Sequence, residues 1–173
     1  MGFFDKLFGG KSKDENTAKF TNQSKTVLTP LQGKVLAQAD IPDETFAQGI
    51  LGPGCGIEPT GDTVYAPFDG TVTQIATTLH AVGITSNDGI ELLIHVGMDT
   101  VEMQGKSFEA QVKVDQKVKA GTPLLKIDLD AIRAAGHPTA TALIVTNADD
   151  LPEMQIVGGG IVAAGAPLFK FEK

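Results

Sequence analysis

Tryptophan is absent from this chain, tyrosine occurs once (Tyr65), and cysteine occurs once (Cys55). A single cysteine excludes an internal disulfide and fits a reducing cytoplasm. No apolar run approaches the roughly 20 residues that a membrane-spanning helix needs. The start, Met1-Gly2-Phe3-Phe4-Asp5-Lys6, lacks the long apolar core of a secretory signal, and Lys6 stands where a myristoylation pattern requires Ser or Thr. Basic residues are few: 14 Lys and Arg stand against 21 Asp and Glu, a formal net charge of −7. Residues 1–25 hold five of the lysines and carry +2, so the remainder carries −9. Such an acidic body argues against nucleic-acid binding.

Turn-forming residues are plentiful, with 20 glycines and 9 prolines separating short apolar runs. That pattern points to an all-β chain. Val27 to Leu36 and Val64 to Thr73 share the pattern P-x-x-G-x-V at an offset of 37, and Val118 to Ile127 matches Val162 to Phe171 at an offset of 44. Two duplicated elements imply an internally repeated fold. The expected architecture is an antiparallel β-sandwich or barrel-sandwich hybrid with one or two short helices. Leu129 to Ala135 is the best helix, stopped by Gly136. Ile41 to Ile50 reads as a loop or helical turn whose Asp43, Phe46 and Ile50 could rim a site. Residues 1–25 read as a separate leader before a domain over 26–173. Phe3, Phe4, Leu7 and Phe8 share one helical face there, which suits weak contact with a membrane surface.

Residues 78–99 organise the rest. Two β-rich runs flank Ser86-Asn87-Asp88-Gly89, a hairpin signal. A two-residue turn at Asn87-Asp88, or a four-residue loop over 86–89, sets His80 directly opposite His95. A turn at Asp88-Gly89 leaves the two on one face but diagonal. Either way Ala81, Ile90, Leu92 and Ile94 are expected on the core side, with His80, Val82, Ile84, Glu91, Leu93 and His95 on the other. Asp99, four residues after His95, is placed to orient an imidazole or to hold its loop. Cys55 reads as a small buried filler.

A facing imidazole pair supports metal binding with a third ligand from elsewhere, nucleophilic catalysis, or a phosphoryl relay. In the last, a neutral ring nitrogen takes the phosphoryl group while the other ring and a hydroxyl hold its oxygens. Phosphoryl transfer depends mostly on positioning and charge stabilisation, so few groups suffice. Thr78 is a plausible hydroxyl donor beside His80.

The motifs Ala66-Pro67-x-x-Gly70, Thr78-x-His80-Ala81 and His95-Val96-Gly97-Met98-Asp99-Thr100-Val101 resemble the glucose-type enzyme IIA of the bacterial phosphoenolpyruvate-dependent sugar phosphotransferase system. The likeness runs from about Val27 to Lys173. It implies that His95 is the phosphorylated residue, taking the group from phospho-HPr and passing it to a cysteine on a IIB domain ahead of sugar entry through IIC. It implies that His80 contacts the phosphoryl group, Thr78 hydrogen-bonds the histidine pair, and Asp43 and Asp99 flank the site. Phe46, Ile50 and Leu93 would form the docking ring. No cofactor is required, although zinc can lie between His80 and His95 with a partner's carboxylate. Regulated permeases or kinases are further partners of such a protein, and its place is the cytoplasm. Thr45 and Ala76 depart from the pattern, being small where other members carry bulk.

Three other readings share parts of this pattern. A biotinyl or lipoyl carrier needs a lysine at an exposed hairpin tip, and Ser86-Asn87-Asp88-Gly89 has none. A zinc peptidase of the lysostaphin type would use His95 and Asp99, but it also needs an H-x-H pair, and His137 stands alone. A non-catalytic regulatory binding protein would be expected to lose one histidine, whereas both are present.

Overall fold

The computed structural model describes residues 20–172, so the leader face formed by Phe3, Phe4, Leu7 and Phe8 lies outside the described residues. The strands in chain order are β1 Thr26–Leu28, β2 Gly33–Leu36, β3 Gly54–Pro59, β4 Thr63–Tyr65, β5 Gly70–Ile75, β6 Ala81–Ser86 and β7 Glu91–His95. They continue as β8 Phe108–Ala110, β9 Lys117–Val118, β10 Pro123–Ile127, β11 Thr141–Val145, β12 Met154–Ile156, β13 Ile161–Val162 and β14 Pro167–Phe171. Among the described residues every strand pairing is antiparallel. One eight-stranded sheet runs β13-β2-β3-β11-β7-β6-β5-β9, and two three-stranded sheets run β1-β14-β12 and β4-β10-β8.

The two sequence repeats become one structural duplication. Each copy of the first repeat pairs with a copy of the second, in the same register. Thr26 faces Lys170 as Thr63 faces Lys126, and Val27 faces Phe169 as Val64 faces Leu125. Even the register irregularity recurs, at Leu28 with Pro167 and at Tyr65 with Pro123. Val162 with Gly33 matches Val118 with Gly70 at the two ends of the long sheet. The apolar residues at these positions, Val27, Val64, Leu125 and Phe169, are all wholly buried in one core.

Between the duplicated ends lie β3, β11, β7 and β6. β3 falls in the glycine-rich stretch that shows no apolar periodicity. Gly54 is there for close approach: a Cβ on it would lie 1.9 Å from the Leu143 carbonyl oxygen of β11. Cys55 on this strand is buried, and desolvation pushes its thiol up to about 12, so it packs as an inert apolar group. β11 is buried at every position, because the long sheet is covered on both sides there. Leu143 and Val145 join the main core. Ala142 and Ile144 join Ile41, Phe46 and Met98 in a second, smaller cluster, with Leu93 packed against it. The helix expected near 129–135 forms at Leu129–Ala134, capped by Asp128 and followed by Gly136 at φ +87°.

The 81–95 hairpin forms with a register that differs from both expected ones. Its loop has three residues, so Thr85 faces Glu91 and Ala81 faces His95. Ser86 closes the loop: its N–H donates to the Ile90 carbonyl, and its hydroxyl accepts from the Ile90 N–H at 2.8 Å. The same hydroxyl donates to the Asp88 carboxylate, and Gly89 supplies φ +96°. A shift of one residue turns a strand over. Val82 and Ile84 therefore point into the core, each 1% exposed, and Ala81 lies outward. Burying two branched side chains is worth about 1.5–3 kcal/mol each, which outweighs the small differences between turn types.

Candidate functional site

His95 ends β7 and points away from the main core. Its cross-strand neighbours are Ala81 on β6 and Ala142 on β11. Two methyl side chains beside the imidazole leave room for a group bound to the ring. Ring contacts come from farther along the chain. The His80 ring meets it edge-on, with centroids 4.8 Å apart and planes at 79°, and the Phe46 ring tilts against it at 4.9 Å.

Each of these rings is delivered by a local backbone feature. His80 precedes β6, just after Leu79, whose left-handed φ of +62° breaks the strand alternation. This is how His80 reaches His95 although strand register does not pair them directly. The His80 carbonyl accepts the Val96 N–H at 2.8 Å, tying the two histidine segments together. Phe46 sits on the single helical turn Glu44–Ala47. Asp43 caps that turn, its carboxylate accepting from the Thr45 N–H at 2.9 Å and the Phe46 N–H at 3.3 Å.

The Nδ1 of His95 lies 2.9 Å from the Gly97 carbonyl oxygen. A carbonyl only accepts, so Nδ1 carries the proton and the lone pair of the neutral ring is on Nε2. Burial holds the His95 pKa below its ordinary value, and the neighbouring His80 pushes it further down. The Gly97 carbonyl and the Asp43 carboxylate oppose that shift. His80 is also shifted down by burial, against a raising contribution from the Thr78 backbone. Its Nδ1 lies 2.7 Å from the Thr78 hydroxyl. Both rings therefore favour the neutral state at pH 7, and both have Nδ1 engaged.

Thr78, His80, His95, Asp43 and Phe46 thus come together. Leu93, two residues before His95 on the same sheet side, packs on the small cluster under Phe46 and Met98. It also lines a shallow groove of about 370 Å³ with Leu51, Gly83 and Thr85. Ile50 is two-thirds exposed, next to the partly exposed Leu51. Asp99 is exposed, with φ +60°, and makes no hydrogen bond to either ring; its carbonyl accepts the Glu102 N–H. Orientation of His95 comes from the Gly97 carbonyl instead. His137 lies in the turn after the 129–134 helix, and among the described residues no third His, Cys, Asp or Glu joins the pair in a metal-ligating group. Two contributors carry no chemistry-bearing signal in the sequence: the Gly97 carbonyl and Ala142. Ala142 is brought to His95 only by long-range strand pairing.

Residues 25–151 match the family model described as phosphoenolpyruvate-dependent sugar phosphotransferase system, EIIA 1. The chain belongs to this family. It is 40% identical over 163 residues to the PTS system glucose-specific EIIA component of Bacillus cereus, covering 94% of each chain. It is 43% identical over 146 residues to the PTS system beta-glucoside-specific EIIBCA component of Dickeya chrysanthemi. That match covers 84% of this chain, which spans only 23% of the Dickeya protein. Among solved structures, the glucose permease IIA from Mycoplasma capricolum superposes with a TM-score of 0.78 at 33% identity, over 88% of this chain and 98% of that one. No helix among the described residues is long and apolar enough to cross a membrane.

Proposed function

We propose that this chain is a phosphocarrier: His95 takes a phosphoryl group from phospho-HPr on Nε2 and hands it to a cysteine of a IIB domain. The observation that carries this reading is the Nδ1–H bond of His95 to the Gly97 carbonyl, which leaves the Nε2 lone pair free for attack in a neutral, half-buried ring. As the Nε2–P bond forms, the N–P bond of the donor breaks, and its electron pair stays on the donor nitrogen. The positive charge acquired by the His95 ring is stabilised through Nδ1–H on the carbonyl. His80, edge-on at 4.8 Å, is close enough to contact the phosphoryl oxygens, and Thr78 orients it. Phe46, Ile50 and Leu93 form the apolar surround on which partners dock, with Asp43 and Asp99 at its border. Relatives named EIIBCA support IIB as the acceptor. Regulated permeases or kinases would meet this same face, and the reaction belongs in the cytoplasm.

The reading needs no cofactor. Zinc, if bound, would take His80 and His95 as two of its four ligands, with a carboxylate supplied by a partner. The peptidase alternative requires a third ligand from this chain, which the described residues do not provide.

The test is incubation with phosphoenolpyruvate, enzyme I and HPr, followed by intact mass and acid treatment. The wild-type chain should gain one acid-labile phosphoryl group. His95→Gln should gain none, and His80→Gln should accept the group but pass it on slowly to IIB. Labelling of His95→Gln would overturn the assignment.

A further inference from the structure

Thr100 makes no hydrogen bond to either imidazole, but it is bonded to the segment that joins them. It is wholly buried, and its hydroxyl donates to the Val96 carbonyl at 2.6 Å. Val96 is wholly buried as well, and its N–H is the donor to the His80 carbonyl. The next residue, Gly97, has φ +73° and carries the carbonyl that holds His95 Nδ1–H. The peptide plane before Gly97 is therefore fixed by the Thr100 hydroxyl. The plane after it is fixed by the Met98 N–H, which donates to the Pro138 carbonyl at 3.0 Å. Gly97 also has little space to move: a Cβ there would lie 2.6 Å from the Thr100 methyl carbon and 3.0 Å from the Pro138 oxygen.

From this we infer that Thr100 is a positioning residue for phosphoryl transfer, setting the Val96–Gly97 turn so that the Gly97 carbonyl fixes the His95 tautomer and the Val96 N–H holds His80 beside it. The inference rests on the phosphocarrier reading for its consequence in transfer, but not for its consequence in tautomer. A hydroxyl bonded to a carbonyl four residues back can be a merely local satisfaction of that carbonyl. Here the same side chain packs on Gly97 through its methyl group, so it constrains the turn from two directions.

The consequence is regiochemical. With Nδ1–H locked on the carbonyl, only Nε2 presents a lone pair. Once the turn relaxes, the ring populates both tautomers, and Nδ1 becomes a competing nucleophile. A displacement of the order of 1 Å in a reacting group costs about 100-fold in rate.

Three variants test this: Thr100→Val keeps the shape and removes the hydroxyl, Thr100→Ser keeps the hydroxyl, and Thr100→Cys leaves only a weak donor. In wild type, the 15N signals of His95 should report a single Nδ1–H tautomer. In Thr100→Val they should move toward a mixture, acceptance from phospho-HPr should fall by about 10- to 100-fold, and some phosphohistidine should form on Nδ1. Thr100→Ser should restore the single tautomer and most of the rate. If Thr100→Val does not fold, Thr100→Cys should show the same changes to a smaller degree. Wild-type tautomer and rate in folded Thr100→Val or Thr100→Cys, or failure of Thr100→Ser to rescue, would overturn the inference. If the wild-type chain accepts no phosphoryl group at all, the phosphocarrier reading fails, while the tautomer measurement, which needs no donor, still decides the role of Thr100 in the turn.

Discussion

His95 has its pKa lowered by burial and by the adjacent His80, so its neutral, nucleophilic form persists to pH values below the usual 6.5. An NMR titration of the His95 ring should give a midpoint under 6.5, and the neutral fraction should hold as pH falls through that value. A midpoint at or above 6.5 would contradict the site geometry. The sign for stability follows from linkage. Between the folded midpoint and the unfolded value of about 6.5, the unfolded chain binds more protons, so stability from this group is complete above 6.5 and is lost as pH falls below it. His95→Gln should therefore flatten part of the acid limb of a denaturation series.

The single turn Glu44–Ala47 is too short to persist without its cap. Its role is to hold Phe46 against His95, so Asp43 matters both as a cap and as a charge. The two roles can be separated. Asp43→Ala should cost about 1 kcal/mol in urea denaturation and speed amide exchange at Thr45 and Phe46. Asp43→Asn should keep the cap and stability while lowering the His95 midpoint further, because the opposing carboxylate charge is gone. Equal stability losses in both variants would show that the cap is not the stabilising part. The 81–95 hairpin makes a related point. Its turn residues were legible in the chain, but its loop length was not. Ser86 resolves the choice by bonding Ile90 with both its N–H and its hydroxyl, and burial of Val82 and Ile84 favours that choice.

The duplicated architecture implies that equivalent positions bear equivalent constraints. Gly33 and Gly70 occupy matching places against β13 and β9. A Cβ at either would lie 2.2 Å from a neighbouring strand's carbonyl oxygen, that of Glu58 or of Thr85. Both oxygens belong to backbone, which cannot swing aside like a flexible side chain. Gly33→Ala and Gly70→Ala should each destabilise by about 1–3 kcal/mol, read as similar shifts in the urea midpoint. A clear loss at one position and none at the other would mean that the two units do not share their mechanics. The units flank the site rather than contain it, so both variants should retain phosphoryl acceptance when folded.

Local chemistry was readable from the chain alone: the repeats, the all-β class, the 129–134 helix, the inert Cys55, and the pairing of two histidines near a threonine. These depend on turn residues, apolar periodicity and spacing, which act over a few positions. Tertiary structure decided what depends on distant partners. It set the hairpin register, because core burial chose which side of β6 faces inward. It made a strand of the glycine-rich 54–59 stretch by pairing it with β11, whose backbone approaches Gly54 too closely for a Cβ. It assigned the orienting of His95 to the Gly97 carbonyl, and it placed Ala142 beside the ring. A backbone carbonyl has no residue-type signature, and the small size of an alanine acquires meaning only once another strand brings it alongside the imidazole.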